Sequence, residues 1–459
     1  MGNNPEQKTY EKGLYMFKRT LATVSLISIL LGVAILLPTY CLTEDDTTPP
    51  ASTAPTEYSI NETIETTPPE ETIAPTEPEI DYKPLTLRRS FGYYKGSLPM
   101  SSITKVAFGN EHPAEYDEKW CANLSDTEEI VGYLIGTEVY IVGEKIYTHP
   151  TTGLMFAGCN SYNEPLWSNL REIEGLEFLD TSRTRDFDEM FLGNQYLTEI
   201  DLNCWDTSSV YSMEFMFSLC NNLETVHIED WDVSNVCYFA AMFQGNDWSG
   251  DMKLKNIDLS KWDTSSAISM NHMFYGCGEL ENIDVSNWNV ENVTTFSHMF
   301  ADCYKLKSID LTKWNTLSVI SFDAMFNDCH SLTEIDISHL PTSTCEQFSQ
   351  MFEACKNLTT IVGIEDLDVS NACDYAFSEM FHCCSSLQSL DLSKWNVSKA
   401  DNMARMFAKC PKLTSLNISG WDVSNVITVL EMFKGSPNVQ IEGMDDLDFS
   451  HANGVNKMY

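Results

Sequence analysis

The chain has 459 residues, with 67 Asp and Glu against 28 Lys and Arg and a formal net charge of −39. That balance excludes ordinary nucleic-acid binding, which needs a basic footprint, and suits an exported protein kept soluble by self-repulsion. The length would allow about three ordinary domains, but internal repetition overrides that arithmetic, because a solenoid grows by adding units to one core.

Residues 1–19 read as a basic cytoplasmic segment, in which Lys8, Lys12, Lys18 and Arg19 precede an apolar run from Leu21 to Leu37. The run is 17 residues long, which just spans a bilayer and exceeds a usual signal-peptide core. The expectation is a transmembrane signal anchor over 20–42, with its basic flank in the cytoplasm and the rest of the chain outside. Two processing alternatives stand beside it. Lipidation at Cys41 would need a small residue where Tyr40 stands, and Thr39-Tyr40-Cys41 is a weak signal-peptidase site.

Residues 43–84 form a Thr/Pro/Glu-rich segment, which holds eleven acids and no Lys or Arg between 43 and 82. It has too little apolar surface to offset its ordering entropy and is expected to be a disordered stalk. Residues 85–165 are expected to form a small β-rich cap. Within them "EIVGYLIGTEVYIVGEKIY" joins two alternating runs through Gly136-Thr137, a hairpin signal.

From 166 to 459 the chain repeats. "LENIDVSNWNVENVTTFSHMFADC" (Leu280 to Cys303) begins with the period of a half-buried strand at Ile283 and Val285. Its second half places Val293, Phe296, Met299, Phe300 and Cys303 at the spacing of a helix face. Met-Phe pairs mark the array from Met155, and from Met190 on they step by 26 residues, except for steps of 31 and 29 that end at Met273 and Met380. Most coils carry a Trp eleven residues before the pair, followed by Asp or Asn and then Ser, which read as N-caps. Each unit is therefore expected to be strand, turn, capped helix and turn, with parallel neighbouring strands.

The "L-x-x-I-D-L-S" strand, the "W-D-T/V-S-x-V" turn and the "M-x-x-M-F-x-x-C" end together resemble the BspA-like leucine-rich-repeat surface proteins of bacteria. The resemblance implies an α/β fold, a leucine-rich-repeat-like β/α solenoid with a parallel sheet on one face. It also implies a cell-surface protein, some relatives of which bind host matrix proteins, and it supplies no catalytic residue. This chain departs from the family pattern in using Trp where Phe is commoner, and it has no C-terminal sortase signal.

Eight cysteines share the slot four residues after the Met: Cys159, Cys220, Cys277, Cys303, Cys329, Cys355, Cys384 and Cys410, with Asn194, Asn246 and Ser436 in the same slot elsewhere. A slot that accepts Cys, Asn or Ser asks for a small, weakly hydrogen-bonding interior group. A metal site would need C-x-x-C pairs, which are absent. His272 and His298, one repeat apart, read as surface histidines. With no zinc-protease, nucleophile-elbow or phosphate-loop motif, neither an enzyme nor a cofactor is expected.

The polar strand positions are the candidate binding residues: Glu199, Asp201, Asn256, Asp258, Asn282, Asp284, Ser308, Asp310, Glu334 and Asp336. Carboxylates stacked about 4.8 Å apart would repel by roughly 1 to 3 kcal/mol per neighbour. Relief is expected from solvation with Lys261 and Lys313, or from a cationic ligand or Ca²⁺. The functional expectation is a membrane-anchored, non-enzymatic surface module whose sheet face binds an extracellular protein or glycan. The alternative is a structural spacer or surface-coat component without a specific ligand. Oligomeric state is not legible in the sequence.

Overall fold

The computed structural model describes residues 100–122, 129–159, 165–245 and 251–459. The expected basic segment, anchor and stalk lie outside the described residues. Among the described residues no helix is long and apolar enough to cross a membrane.

The expected hairpin forms. Strands β1 (Lys105–Gly109), β2 (Glu118–Cys121), β3 (Val131–Ile135) and β4 (Glu138–Val142) come first, and β3 pairs antiparallel with β4 across Gly136, whose φ is +60°. β5 (Ile146–Tyr147) and β6 (Glu172–Glu174) follow. The sheet order is β2-β3-β4-β1-β6, and β1 lies parallel to both β4 and β6. β6 thereby joins the cap sheet just before the first coil. Val106, Val139 and Ile141 are fully buried in the same core as the solenoid.

The repeat strands are two or three residues long: β7 (Leu179–Asp180), β8 (Glu199–Asp201), β9 (Thr225–His227), β10 (Asn256–Ile257), β11 (Asn282–Ile283), β12 (Glu334–Asp336), β13 (Thr360–Val362), β14 (Ser389–Asp391), β15 (Ser415–Asn417) and β16 (Gln440–Glu442). They pair in parallel as β5-β7, β8-β9, β10-β11, β12-β13 and β14-β15-β16. The three-residue strands β8, β12 and β14 bury their central Ile or Leu and turn polar flanks outward.

The expected capped helix does not form. Phe296, His298, Phe300 and Asp302 instead donate backbone N–H groups to Ser321, Asp323, Met325 and Asn327 of the next coil at 2.8–3.0 Å. Between them Met299, Ala301 and Cys303 each bond three residues back, at 3.0–3.3 Å. The segment is a row of tight turns hydrogen-bonded from coil to coil. Left-handed backbone reverses it twice, at His298 (φ +57°) and Asp302 (φ +60°). The residue before each Met-Phe pair from Met190 to Met432 has φ between 51° and 58°. Helices pack about 8–10 Å apart, whereas paired strands lie about 4.8 Å apart. A coil bonded to its neighbour on both faces leaves no width for a helix. The solenoid is accordingly built of short strands and turns, with only short 3-10 segments such as Ile364–Asp366 among the described residues. The Asp and Ser after each Trp close turns and do not cap helices: the Ser208 N–H and hydroxyl both donate to Asp206 Oδ1, at 3.0 and 2.6 Å.

Three interior ladders hold the coils together. Rings stack from Phe156 through every Met-Phe pair to Phe433 and Tyr459, with centroids 5.2–6.0 Å apart. Each repeat Trp donates its indole N–H to a carbonyl of the preceding coil, as Trp288 does to Leu259 at 3.2 Å and Trp395 to Ile364 at 2.7 Å. The cysteine slot is the third ladder. Cys220, Cys277, Cys303, Cys329, Cys355, Cys384 and Cys410 donate Sγ–H to the Phe carbonyl one coil back at 3.0–3.3 Å. Asn194 and Ser436 make the same bond at 2.6 and 2.7 Å. Any small donor satisfies that buried carbonyl, which is why the slot tolerates three residue types. The ladder cysteines from Cys220 to Cys410 carry free thiols, and burial pushes the thiol of Cys220 up to about 12.

Candidate functional site

The strand face is built by alternation. Ile257 and Ile283 point into the core, which leaves Asn256, Asp258, Asn282 and Asp284 exposed. Asn256 lies opposite Asn282 in the parallel register, and each Asp follows its registered Ile by one residue. With His227 and Glu229 of the preceding coil they line an open groove of about 480 Å³.

The sequence DxS or DxT explains how neighbouring carboxylates tolerate one another. Oδ1 of Asp258, Asp284, Asp310, Asp336 and Asp391 accepts the backbone N–H of the residue two positions on at 2.9–3.1 Å. It also accepts that residue's Ser or Thr hydroxyl, at 2.6–2.7 Å. The hydroxyl bond and then the backbone bond hold Asp258, Asp310, Asp336 and Asp391 below the usual carboxylate range, against a smaller desolvation. The carboxylates therefore stay ionised, with Oδ2 left for a partner. The lysines expected to relieve the row bond elsewhere, Lys261 to Asp230 at 2.6 Å and Lys313 to Asn287 at 2.8 Å, but their charges still add a smaller downward pull on Asp258 and Asp310. The Ser or Thr two residues after each Asp was the legible signal for this arrangement.

The ten candidate residues do not form one unbroken hydrogen-bonded row. Asn256, Asp258, Asn282 and Asp284 share the groove. Glu199 and Asp201 lie on β8 opposite Thr225 and His227. Ser308 and Asp310 are exposed but sit outside any paired strand, so β11 and β12 belong to separate sheets. Glu334 and half-buried Asp336 lie on β12.

The one imidazole in the groove is His227, which the sequence reading passed over. Its Nδ1 is 3.0 Å from Glu229 Oε1, and its Nε2 is 3.9 Å from Glu199. The hydrogen bond to Glu229 raises its pKa, against partial desolvation. Glu229 is drawn down to about 2: bonds from Asn203, the backbone and His227 outweigh its desolvation. The groove therefore holds an imidazole paired with a carboxylate, set among further carboxylates.

Away from the strand face, His272 and His298 are not free surface groups. Their rings stack 4.6 Å apart, and burial holds the His272 imidazole below its ordinary range.

The sequence matches the family described as "Mycoplasma protein of unknown function, DUF285" over residues 154–251, 246–363 and 357–459. No curated protein matches it. Similar solved structures include a leucine-rich cell surface protein of Faecalibacterium prausnitzii, 16% identical, with a TM-score of 0.33 over 77% of this chain and 90% of that one. A leucine-rich-repeat protein of Bacteroides ovatus is 17% identical, with a TM-score of 0.27 over 69% of this chain and 84% of the other. One of Eubacterium ventriosum is 13% identical, with a TM-score of 0.24 over 74% and 99%. Family matches that together run from residue 154 to 459, on coils that carry the strand, Trp turn and Met-Phe-x-x-Cys end, place this chain in that family as a BspA-like leucine-rich-repeat protein.

Proposed function

We propose that this protein is a non-enzymatic cell-surface binding module that presents its acidic strand face to an extended extracellular protein or glycan. The observation that carries the reading is the groove over β10 and β11, where Asn256, Asp258, Asn282 and Asp284 stand side by side. The carboxylate Oδ1 atoms are already satisfied, so their geometry is fixed before a partner arrives, and preorganisation of this kind lowers the cost of binding. A basic polypeptide segment fits the charge; a glycan would use the amides and the serine and threonine hydroxyls. The anchor over 20–42 and the stalk over 43–84 would hold this face away from a membrane, at the cell surface.

A panel of matrix polypeptides and glycans, titrated against the full chain at several salt concentrations, tests the reading. Binding that weakens with salt and is lost in Asp258→Asn with Asp284→Asn, but kept in Lys313→Ala, supports it. Equal binding by the double variant refutes the assignment of the face. No binding anywhere in the panel favours the spacer alternative.

A further inference from the structure

The turn face carries a cluster that the strand-face reading does not use. Glu353 follows Met351 by two residues, and His382 follows Met380 by two, so they occupy the same slot in successive coils and stack. Glu379 stands three residues before His382, across one turn. The coordinating atoms of the three groups all lie within 4.8 Å of one another. His382 Nδ1 is 2.7 Å from Glu353 Oε1 and 3.8 Å from Glu379 Oε2. The three side chains are only 13%, 15% and 21% exposed for His382, Glu353 and Glu379.

Residues outside the triad hold the oxygens that do not converge. Asn327 Nδ2 donates to Glu353 Oε2 at 3.0 Å, and Gln350 donates to the same oxygen. Arg405 donates to Glu379 Oε1 at 2.9 Å. His382 Nε2 has Cys383 Sγ 3.5 Å away, so the ring's second nitrogen is occupied and Nδ1 is the atom turned to the carboxylates. Outer groups that orient carboxylates and imidazole in this way are what a metal's ligands require.

The geometry points to a binding site for one divalent transition cation of the Zn²⁺ class, held by Glu353 Oε1, Glu379 Oε2 and His382 Nδ1. Four-coordinate zinc with bonds of about 2.0–2.1 Å sets its ligand atoms about 3.4 Å apart. The two observed nitrogen–oxygen distances lie on either side of that value, so a small adjustment of each carboxylate admits the ion. One imidazole with two carboxylates suits such a cation better than Ca²⁺ or Mg²⁺, which prefer all-oxygen shells. A water would complete the shell.

The place in the array gives the ion a structural task. Strands β13 and β14 do not pair, and the step between Met351 and Met380 is 29 residues where 26 is the rule. A cation bridging Glu353 to Glu379 and His382 would staple this lengthened coil, whose strand β13 pairs with β12 but not with β14, to the coil before it on the turn face.

The test is a Co²⁺ titration of the chelator-stripped full chain in excess Mg²⁺, read by visible absorption, together with thermal melts in Zn²⁺. The expected result is one equivalent of Co²⁺ bound with the intense visible bands of a four-coordinate ion, and a melting temperature raised by Zn²⁺. Glu353→Gln, Glu379→Gln and His382→Gln, each checked for folding by circular dichroism, should bind at least about tenfold more weakly. Glu291→Gln, which changes an exposed carboxylate of another coil, should titrate like the parent. Absence of the bands in the parent overturns the proposal. So do a sulfur-to-cobalt charge-transfer band and a titration unchanged in a folded Glu353→Gln or His382→Gln variant.

Discussion

Glu214→Gln should stabilise the array at alkaline pH and leave it unchanged in acid. Glu214 lies in the same turn-face slot as Asp188, one coil on. The Glu214 backbone N–H and the Ser212 hydroxyl both donate to Asp188 Oδ1, at 2.7 and 2.5 Å. Burial first, and then the charges of Asp188, Asp186 and Glu189, push the Glu214 carboxyl up to about 7. Burial likewise lifts Asp188 to about 6. A carboxyl whose folded pKa is raised binds its proton more tightly when folded. Its cost to stability is therefore absent below the unfolded value of 4.5 and complete above about 7. A displacement of that size corresponds to about 3 kcal/mol, and since Glu214 shares its repulsion with Asp188, about 2 kcal/mol is the expected gain on neutralising one partner. Urea unfolding at pH 8.5 and pH 4.5 measures it. A gain at the higher pH that vanishes at the lower one is expected. No gain at pH 8.5, or the same gain at both, refutes the account of this pair.

Three further substitutions probe the coil. Cys303→Ser should be close to neutral, because Ser436 already fills that slot in another coil, whereas Cys303→Val leaves the Phe274 carbonyl only the Cys277 N–H and should cost about 1 kcal/mol in urea melts. Lys409 is exposed at φ +56°, so Lys409→Gly should be neutral or stabilising, where the same change inside a helix costs about 1 kcal/mol. Asp310→Asn should lower the melting temperature and not raise it, because the Thr312 bonds favour the charged carboxylate; a higher melting temperature at low salt would show that repulsion along the row dominates instead.

Much of the coil was legible in its spacing. The period of two at Ile283 and Val285 gave a buried strand, and a cysteine slot shared with Asn and Ser gave an interior ladder of small donors. The turn segment was misread because a row of turns, each reversing at a fixed interval, buries Phe296, Met299, Phe300 and Cys303 at the same intervals as a helix. The residues that separate the two were present. Gly193, Gly276 and Gly435 stand three positions after the Met in their coils, all with φ between 70° and 79°. A left-handed slot marked by glycine in three coils is incompatible with a continuous helix. At the candidate site, the Ser or Thr two residues after each Asp announced the turn that binds the carboxylate. The breaks in the sheet were not readable, because "LKSID" has the same pattern as its paired neighbours and the loss of its ladder depends on how adjacent coils pack. The convergence of Glu353, Glu379 and His382 was hidden for a related reason: the groups come from two coils offset by an irregular step, and a helical placement would have set them on separate rods.

The central claim is that the acidic strand face, and not the turn face, recognises the partner. The most direct measurement is the equilibrium affinity of the full chain for a ligand found in the panel, compared with that of Asp258→Asn with Asp284→Asn and of Glu353→Gln. Loss of about tenfold or more in the double variant, with unchanged affinity in Glu353→Gln, is the predicted result. The reverse order, with the strand-face variant binding like the parent, would contradict the account.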